Sequence, residues 1–271
     1  MDARHVGGRL METQDLMAQE GRRIIDWARA RGVVLRLLGG FAVHEYCAGS
    51  VACRRQHLDL DLAGLRRQTG SVVEVLAQLG YEERTRVRVA TGTGQAQFVR
   101  ECVHGGADGV RAHDEDHVDV FFDRFRLDHV IDLRERLARH PYAVPLTDTL
   151  AMKLQMHDPE ARDVRDALML LATVSGEGPA AGDVDPDYLG TLCAHDWGLF
   201  YDVSRNLQRV REALPGAGLG DAERGKVTQL LARLTGAIDA APKSVAWRLR
   251  ARVGTRLRWW DDVEEQEGVA A

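Results

Sequence analysis

The sequence predicts an α+β chain, with a small mixed sheet and helices in its first half and helices alone after it. Three observations carry this. Two runs alternate with period two, His57-Leu58-Asp59-Leu60-Asp61-Leu62 and His117-Val118-Asp119-Val120-Phe121-Phe122, as half-buried strands do. Between and before them lie stretches with helical spacing of apolar residues. After Pro141 the texture changes, and no convincing strand follows.

In chain order, Thr13 to Arg31 predicts a helix, with Leu16, Met17, Ile24, Ile25, Trp27 and Ala28 as a broken stripe and Thr13 as its N-cap. Val33 to Leu38 is a short buried strand ending at Gly39-Gly40, and a helix opens from Phe41 to Cys47. Leu58 to Leu62 is the second strand, and Ser71 to Leu79 is a helix closed by Gly80. Gln95 to Cys102 and His117 to Phe122 are two strands around a Gly/Asp-rich turn. Leu146 to Met156 and Ala161 to Val174 read as helices, and the chain from Tyr188 as three or four more. A soft boundary falls near Tyr142 to Pro145, dividing the chain into 1–143 and 144–271.

Composition sets limits. The 271 residues are 45% hydrophobic and 28% charged, ordinary for a chain with a substantial core. A net charge of -5 excludes a wholly basic nucleic-acid coat, so any such contact needs a local patch. Cys47, Cys53, Cys102 and Cys193 show no CxxC spacing and read as free thiols of a reducing cytosol. There is no apolar signal core, and no run approaches the roughly 18 apolar residues that span a bilayer. The expected location is cytoplasmic.

Asp59 and Asp61 stand two apart and so share one strand face. Like charges so placed resist burial, and are expected to be solvated or to hold a hard cation such as Mg²⁺. A double glycine after a strand lets backbone N–H groups come close to phosphate. Asp119 alternates against Val118 and Val120, as on a strand beside the first, and completes a carboxylate trio. Together these suggest metal-dependent phosphoryl or nucleotidyl transfer. Asp114, Asp116, Asp123, Asp128 and Asp132 read as solvated residues around the strands, and His57 as structural or solvated.

The set Gly39-Gly40, then Arg55, Asp59 and Asp61, then Asp119 resembles the polymerase-beta-like nucleotidyltransferase superfamily. Leu150-Ala151-Met152-Lys153-Leu154-Gln155 with Arg162-Asp163-Val164-Arg165-Asp166 is most similar to AbiEii-type toxin nucleotidyltransferases and their uncharacterised bacterial relatives. Asp196-Trp197-Gly198 also resembles those relatives. The resemblance implies a catalytic domain over 1–143 and a helical domain over 144–271. It implies that Asp59, Asp61 and Asp119 hold Mg²⁺ or Mn²⁺, that Gly39 and Gly40 face the phosphates of a nucleoside triphosphate such as ATP, and that Lys153 lies near them. Asp163 or Asp166 matches an acidic residue of the toxin branch; the sequence does not choose between them. Many members carry Gly-Ser where this chain has Gly39-Gly40, so a phosphate-binding hydroxyl is missing. Arg54 and Arg55 read equally as phosphate-neutralising or as plain loop arginines.

Implied partners are the triphosphate, an acceptor that is RNA (a tRNA end) or a small molecule such as an antibiotic, and an antitoxin protein. The sequence leaves the oligomeric state open. A reading of another class is a silent nucleotide-binding regulatory protein. In the tail, Lys243 to Trp260 holds Arg248, Arg250, Arg252, Arg256 and Arg258 with no acid. Val245, Leu249, Val253 and Leu257 recur every four residues beside Trp247, Trp259 and Trp260. That helix either faces an anionic surface or nucleic acid, or packs its stripe on the domain.

Overall fold

The computed structural model describes residues 3–47, 59–85, 94–101, 115–174 and 183–260, the first twelve of these as backbone only. Helix α1 runs Ala3–Arg29, and Ile24, Ile25 and Ala28 are fully buried along it. Strand β1 (Leu35–Leu37) leads into helix α2 (Gly39–Cys47). Strand β2 (Leu60–Gly64) and helix α3 (Thr69–Gln78) follow. Strands β3 (Glu82–Glu83), β4 (Gln95–Glu101) and β5 (Glu115–Phe122) complete a five-stranded sheet in the order β1-β2-β5-β4-β3. The sheet is mixed, because β2 and β5 pair in parallel while the other neighbours are antiparallel.

One face of this sheet packs inward. Leu60 and Leu62 stand beside Val118 and Val120, all buried. Alternation therefore turns Asp61 and Asp119 to the opposite face. On the inner side, Arg100 of β4 pairs with Glu20 of α1 and Asp116 of β5, each at 2.9 Å.

A separate two-stranded ribbon, β6 (Arg124–Arg126) and β7 (Val130–Asp132), leads to the helices. These are α4 (Leu146–Leu154), α5 (Ala161–Thr173), α6 (Pro186–His195), α7 (Trp197–Ala213), α8 (Asp221–Ala240) and α9 (Val245–Val253). Asp185 caps α6 ahead of Pro186, and Asp196 caps α7 by accepting from the N–H groups of Gly198 and Leu199. Asp148 of α4 is fully buried, holds Arg136 at 2.8 Å and accepts from the Tyr188 hydroxyl at 2.9 Å.

The α+β expectation is met, with several local corrections. The aspartates expected to be solvated are mostly bonded. Asp116 pairs with Arg100, Asp123 accepts from the Arg66 N–H, Asp128 from the His157 N–H, and Asp132 pairs with Arg134. Asp114 lies outside the described residues. The stripe of the tail does not pack on the domain. Val245 is 71% exposed, Leu249 57% and Leu257 64%. Instead Trp247 meets Phe200 edge-on, and Trp259 meets Trp197 and Tyr201. Nor are the arginines all free, since Arg248 and Arg250 donate to backbone carbonyls at the two ends of α9. No helix among the described residues is long and apolar enough to cross a membrane.

At the centre of the helical half, Asp202 of α7 is fully buried. It accepts from His129 Nε2 at 2.8 Å, His157 Nδ1 at 2.9 Å and the Trp259 indole N–H at 2.9 Å. Burial alone would lower the His129 pKa, but Asp196 and Asp202 outweigh it and push it up to about 9. An imidazole whose folded pKa exceeds its unfolded value stabilises fully below about pH 6.5, and that contribution fades as pH rises through about 9. Thermal melts should therefore show His129→Gln losing most at pH 6 and approaching the parent by pH 9.5. An equal loss at both pH values would remove the charged imidazole from the account.

Candidate functional site

Asp61 and Asp119 are direct register partners on the parallel strands β2 and β5. Each carries an apolar residue on both sides that points into the core, so both carboxylates project from the other face. The Asp61 carboxyl is pushed up to about 7, by burial first and then by the charges of Asp119 and Asp59, with Lys153 opposing. Asp119 is also raised, chiefly by burial, although hydrogen bonds from Gln95 and Gln97 work against the shift. Gln95 Nε2 lies 3.4 Å from Asp119 Oδ1. Neighbouring carboxylates whose pKa values are raised by burial and by one another's charge recur at functional sites.

Gly39 explains how Asp61 fits. It has φ of 57°, a left-handed conformation that glycine adopts without strain, and it opens α2. A Cβ placed there would overlap Asp61 Oδ2. The first turn of a helix leaves N–H groups without intrahelical partners, and here that turn, Gly39-Gly40-Phe41, begins against the carboxylate. Gly39→Ala is expected to cost about 1–2 kcal/mol of stability, from strain and from displacement of Asp61. Chemical denaturation checks it; a neutral substitution would mean that Asp61 can move aside freely.

Asp59 departs from the expectation. It precedes β2 and is exposed, so strand alternation does not fix its side chain. Its charge still raises both Asp61 and Asp119. Among the described residues, no group of three His, Cys, Asp or Glu side chains is placed to hold a metal ion. Asp61 and Asp119 are strand-paired, and Asp59 stands just before β2. Arg54, Arg55 and His57 lie outside the described residues.

Lys153 also differs from a free cation. Its ammonium lies 2.9 Å from Asp163 and 3.0 Å from Asp166, both buried on α5. The sequence left a choice between these two acids, and both bind the lysine. Lys153 is near enough to Asp61 for its charge to hold that carboxyl down. One compact electrostatic unit thus runs from the sheet to α5. Gln95 and Gln97 are the residues that sequence reading missed. They stand opposite Phe121 and Asp119 on the neighbouring β4, and only the register reveals them.

A scan of protein-family models finds none that matches the chain, and a search of curated proteins finds no match. Among solved structures, the chain is similar to the antibiotic-resistance factor ANT(2'')-Ia, at 12% identity over 73% of this chain and 93% of that one, with a TM-score of 0.36. A likeness of that size fixes no activity for this chain.

Proposed function

We propose that this chain transfers a nucleotidyl group from a nucleoside triphosphate to a hydroxyl acceptor. The observation that carries the reading is the Asp61–Asp119 register pair, with the glycine-opened turn of α2 set against Asp61. The donor set suits Mg²⁺. It consists of carboxylate oxygens alone, and burial and mutual repulsion disfavour their charge until a cation offsets it. Asp61 and Asp119 would hold the ion, with Asp59 beside them. Bound there, Mg²⁺ would neutralise phosphate charge and polarise the phosphoryl oxygens.

The remaining work belongs to the chain. Backbone N–H groups of Gly39 and Gly40 orient the phosphates. Asp119 stands where it can accept the proton of the acceptor hydroxyl. The new ester bond forms at the α-phosphorus as its bond to the bridging oxygen breaks, and pyrophosphate leaves. Lys153 stabilises the charge that builds on it.

The test is incubation with each α-³²P-labelled nucleoside triphosphate, Mg²⁺, and either total tRNA or a pool of small-molecule hydroxyl acceptors. Label transfer that Asp119→Asn abolishes is the expected result, and the acceptor pool that becomes labelled tells RNA from small molecule. Undiminished transfer in Asp119→Asn would remove that residue from the chemistry. Nucleotide binding without transfer to any acceptor would favour the silent nucleotide-binding reading.

A further inference from the structure

The lysine and its two acids are joined by one short connection, residues 155–160, between α4 and α5. Nearly every residue at the start of that connection is held from elsewhere. Asn206 Nδ2 donates to the carbonyls of Leu154 at 2.8 Å and Met156 at 2.6 Å. The Gln155 side-chain oxygen accepts from the His129 N–H at 3.2 Å. The His157 N–H donates to Asp128 at 2.6 Å, and its Nδ1 meets Asp202. The grip comes from the β6–β7 turn on one side and from α7 on the other.

The C-terminal strap closes this arrangement. Trp259 donates its indole N–H to the same Asp202 carboxylate, and Trp260 stacks on the His157 ring with centroids 3.7 Å apart and planes 9° from parallel. Gly198 gives the strap its seat, since a Cβ there would stand 2.9 Å from both Trp259 and His129. Asp202, Asp196, Asp128 and His129 face the hub, Arg258 lies over the Trp260 ring, and Arg205 donates to the His157 carbonyl at 3.3 Å.

We propose that Trp259 and Trp260, docked on Asp202 and His157, are positioning residues that fix the 155–160 connection and through it the place of Lys153. The catalytic half of this inference rests on the nucleotidyl-transfer reading above; the positional half does not. Trp259 and Trp260 meet Asp202, His157, Trp197 and Tyr201, so their influence on Lys153 passes through the connection. Docking of Trp259 and Trp260 then sets the activity of a site formed by the sheet.

Hydrogen exchange of the full-length protein over residues 154–160, with Trp259→Phe and Trp260→Leu, tests the positional half. Trp259→Phe keeps an aromatic ring and removes only the donor. Exchange in that segment should quicken about tenfold in either variant, while β2 and β5 stay protected. Steady-state transfer tests the other half. In either variant kcat should fall about tenfold with little change in acceptor KM, and in a Lys153→Ala background the same substitution should cost less than about twofold. Unchanged exchange in both variants overturns the proposal. So does faster exchange with unchanged kcat, or a full additive loss in the Lys153→Ala background. If the parent shows no transfer at all, the nucleotidyl-transfer reading falls, and hydrogen exchange still decides whether the strap holds the connection. Should one variant not fold, the other carries the same comparison.

Discussion

Asp61→Asn is expected to abolish transfer and, in metal-free buffer at pH 7.5, to raise the Tm. The two effects have one cause. Burial and two neighbouring carboxylates hold the Asp61 carboxyl at about 7, above its unfolded value near 4. For an acid raised in this way, folding loses stability as pH climbs from about 4 to about 7, and the full penalty stands above that. Asn removes the charge with little change of shape. Allowing for partial exposure to water, the gain should be about 2 kcal/mol, or roughly 4–8 °C in a chain of this size. The gain should vanish towards pH 4 and below, where the carboxyl is neutral in the unfolded state as well as the native one. Differential scanning calorimetry at pH 4.5 and 7.5 reads both arms. A variant less stable at pH 7.5 would show that Asp61 is engaged by a favourable partner rather than held against repulsion.

Lys153→Ala should lower transfer about 10²–10³-fold, the usual cost of losing one preorganised donor at developing charge. It should also destabilise the protein by about 3–5 kcal/mol, because Asp163 and Asp166 would remain buried without their cation. Loss of activity alone would then prove little. The triple variant Lys153→Ala/Asp163→Asn/Asp166→Asn separates the effects. It removes the lysine and both charges, so stability should return to within about 1 kcal/mol of the parent while transfer stays low. Recovery of activity along with stability would make Lys153 a structural ion-pair partner only.

Much of the sheet could be read from the chain because β2 and β5 bury one face. Leu60, Leu62, Val118 and Val120 must point inward, which sends Asp61 and Asp119 outward without further information. Gly39 was legible for the same kind of reason: a glycine after a buried strand is tolerated where the backbone must turn sharply. The rest depended on partners distant in sequence. β3, β6 and β7 have two or three residues each, too few to show a period. Asp59 looked like a strand residue, but β2 begins one position later. The tail's four-residue stripe suggested a packed face. The energy of packing comes instead from the bulkier Trp247 and Trp259, which leaves Val245 and Leu249 outside. Asp202 gave no signal, because its three donors come from three separate segments.

The parallel pairing of β2 with β5 also bears on how the chain avoids misfolding. A slip of one position between these strands would turn Val118 and Val120 to the polar face that carries Asp61 and force Asp119 into the apolar layer beside Leu60 and Leu62. A carboxylate in that layer costs several kcal/mol, more than most single native contacts return. The residues proposed for catalysis thereby act as proofreaders of strand alignment during folding. Replacing Asp119 by an apolar residue would remove that check, and the expected sign is a rise in misfolded or aggregated product on rapid refolding, seen by light scattering, even where the variant's native state is the more stable one.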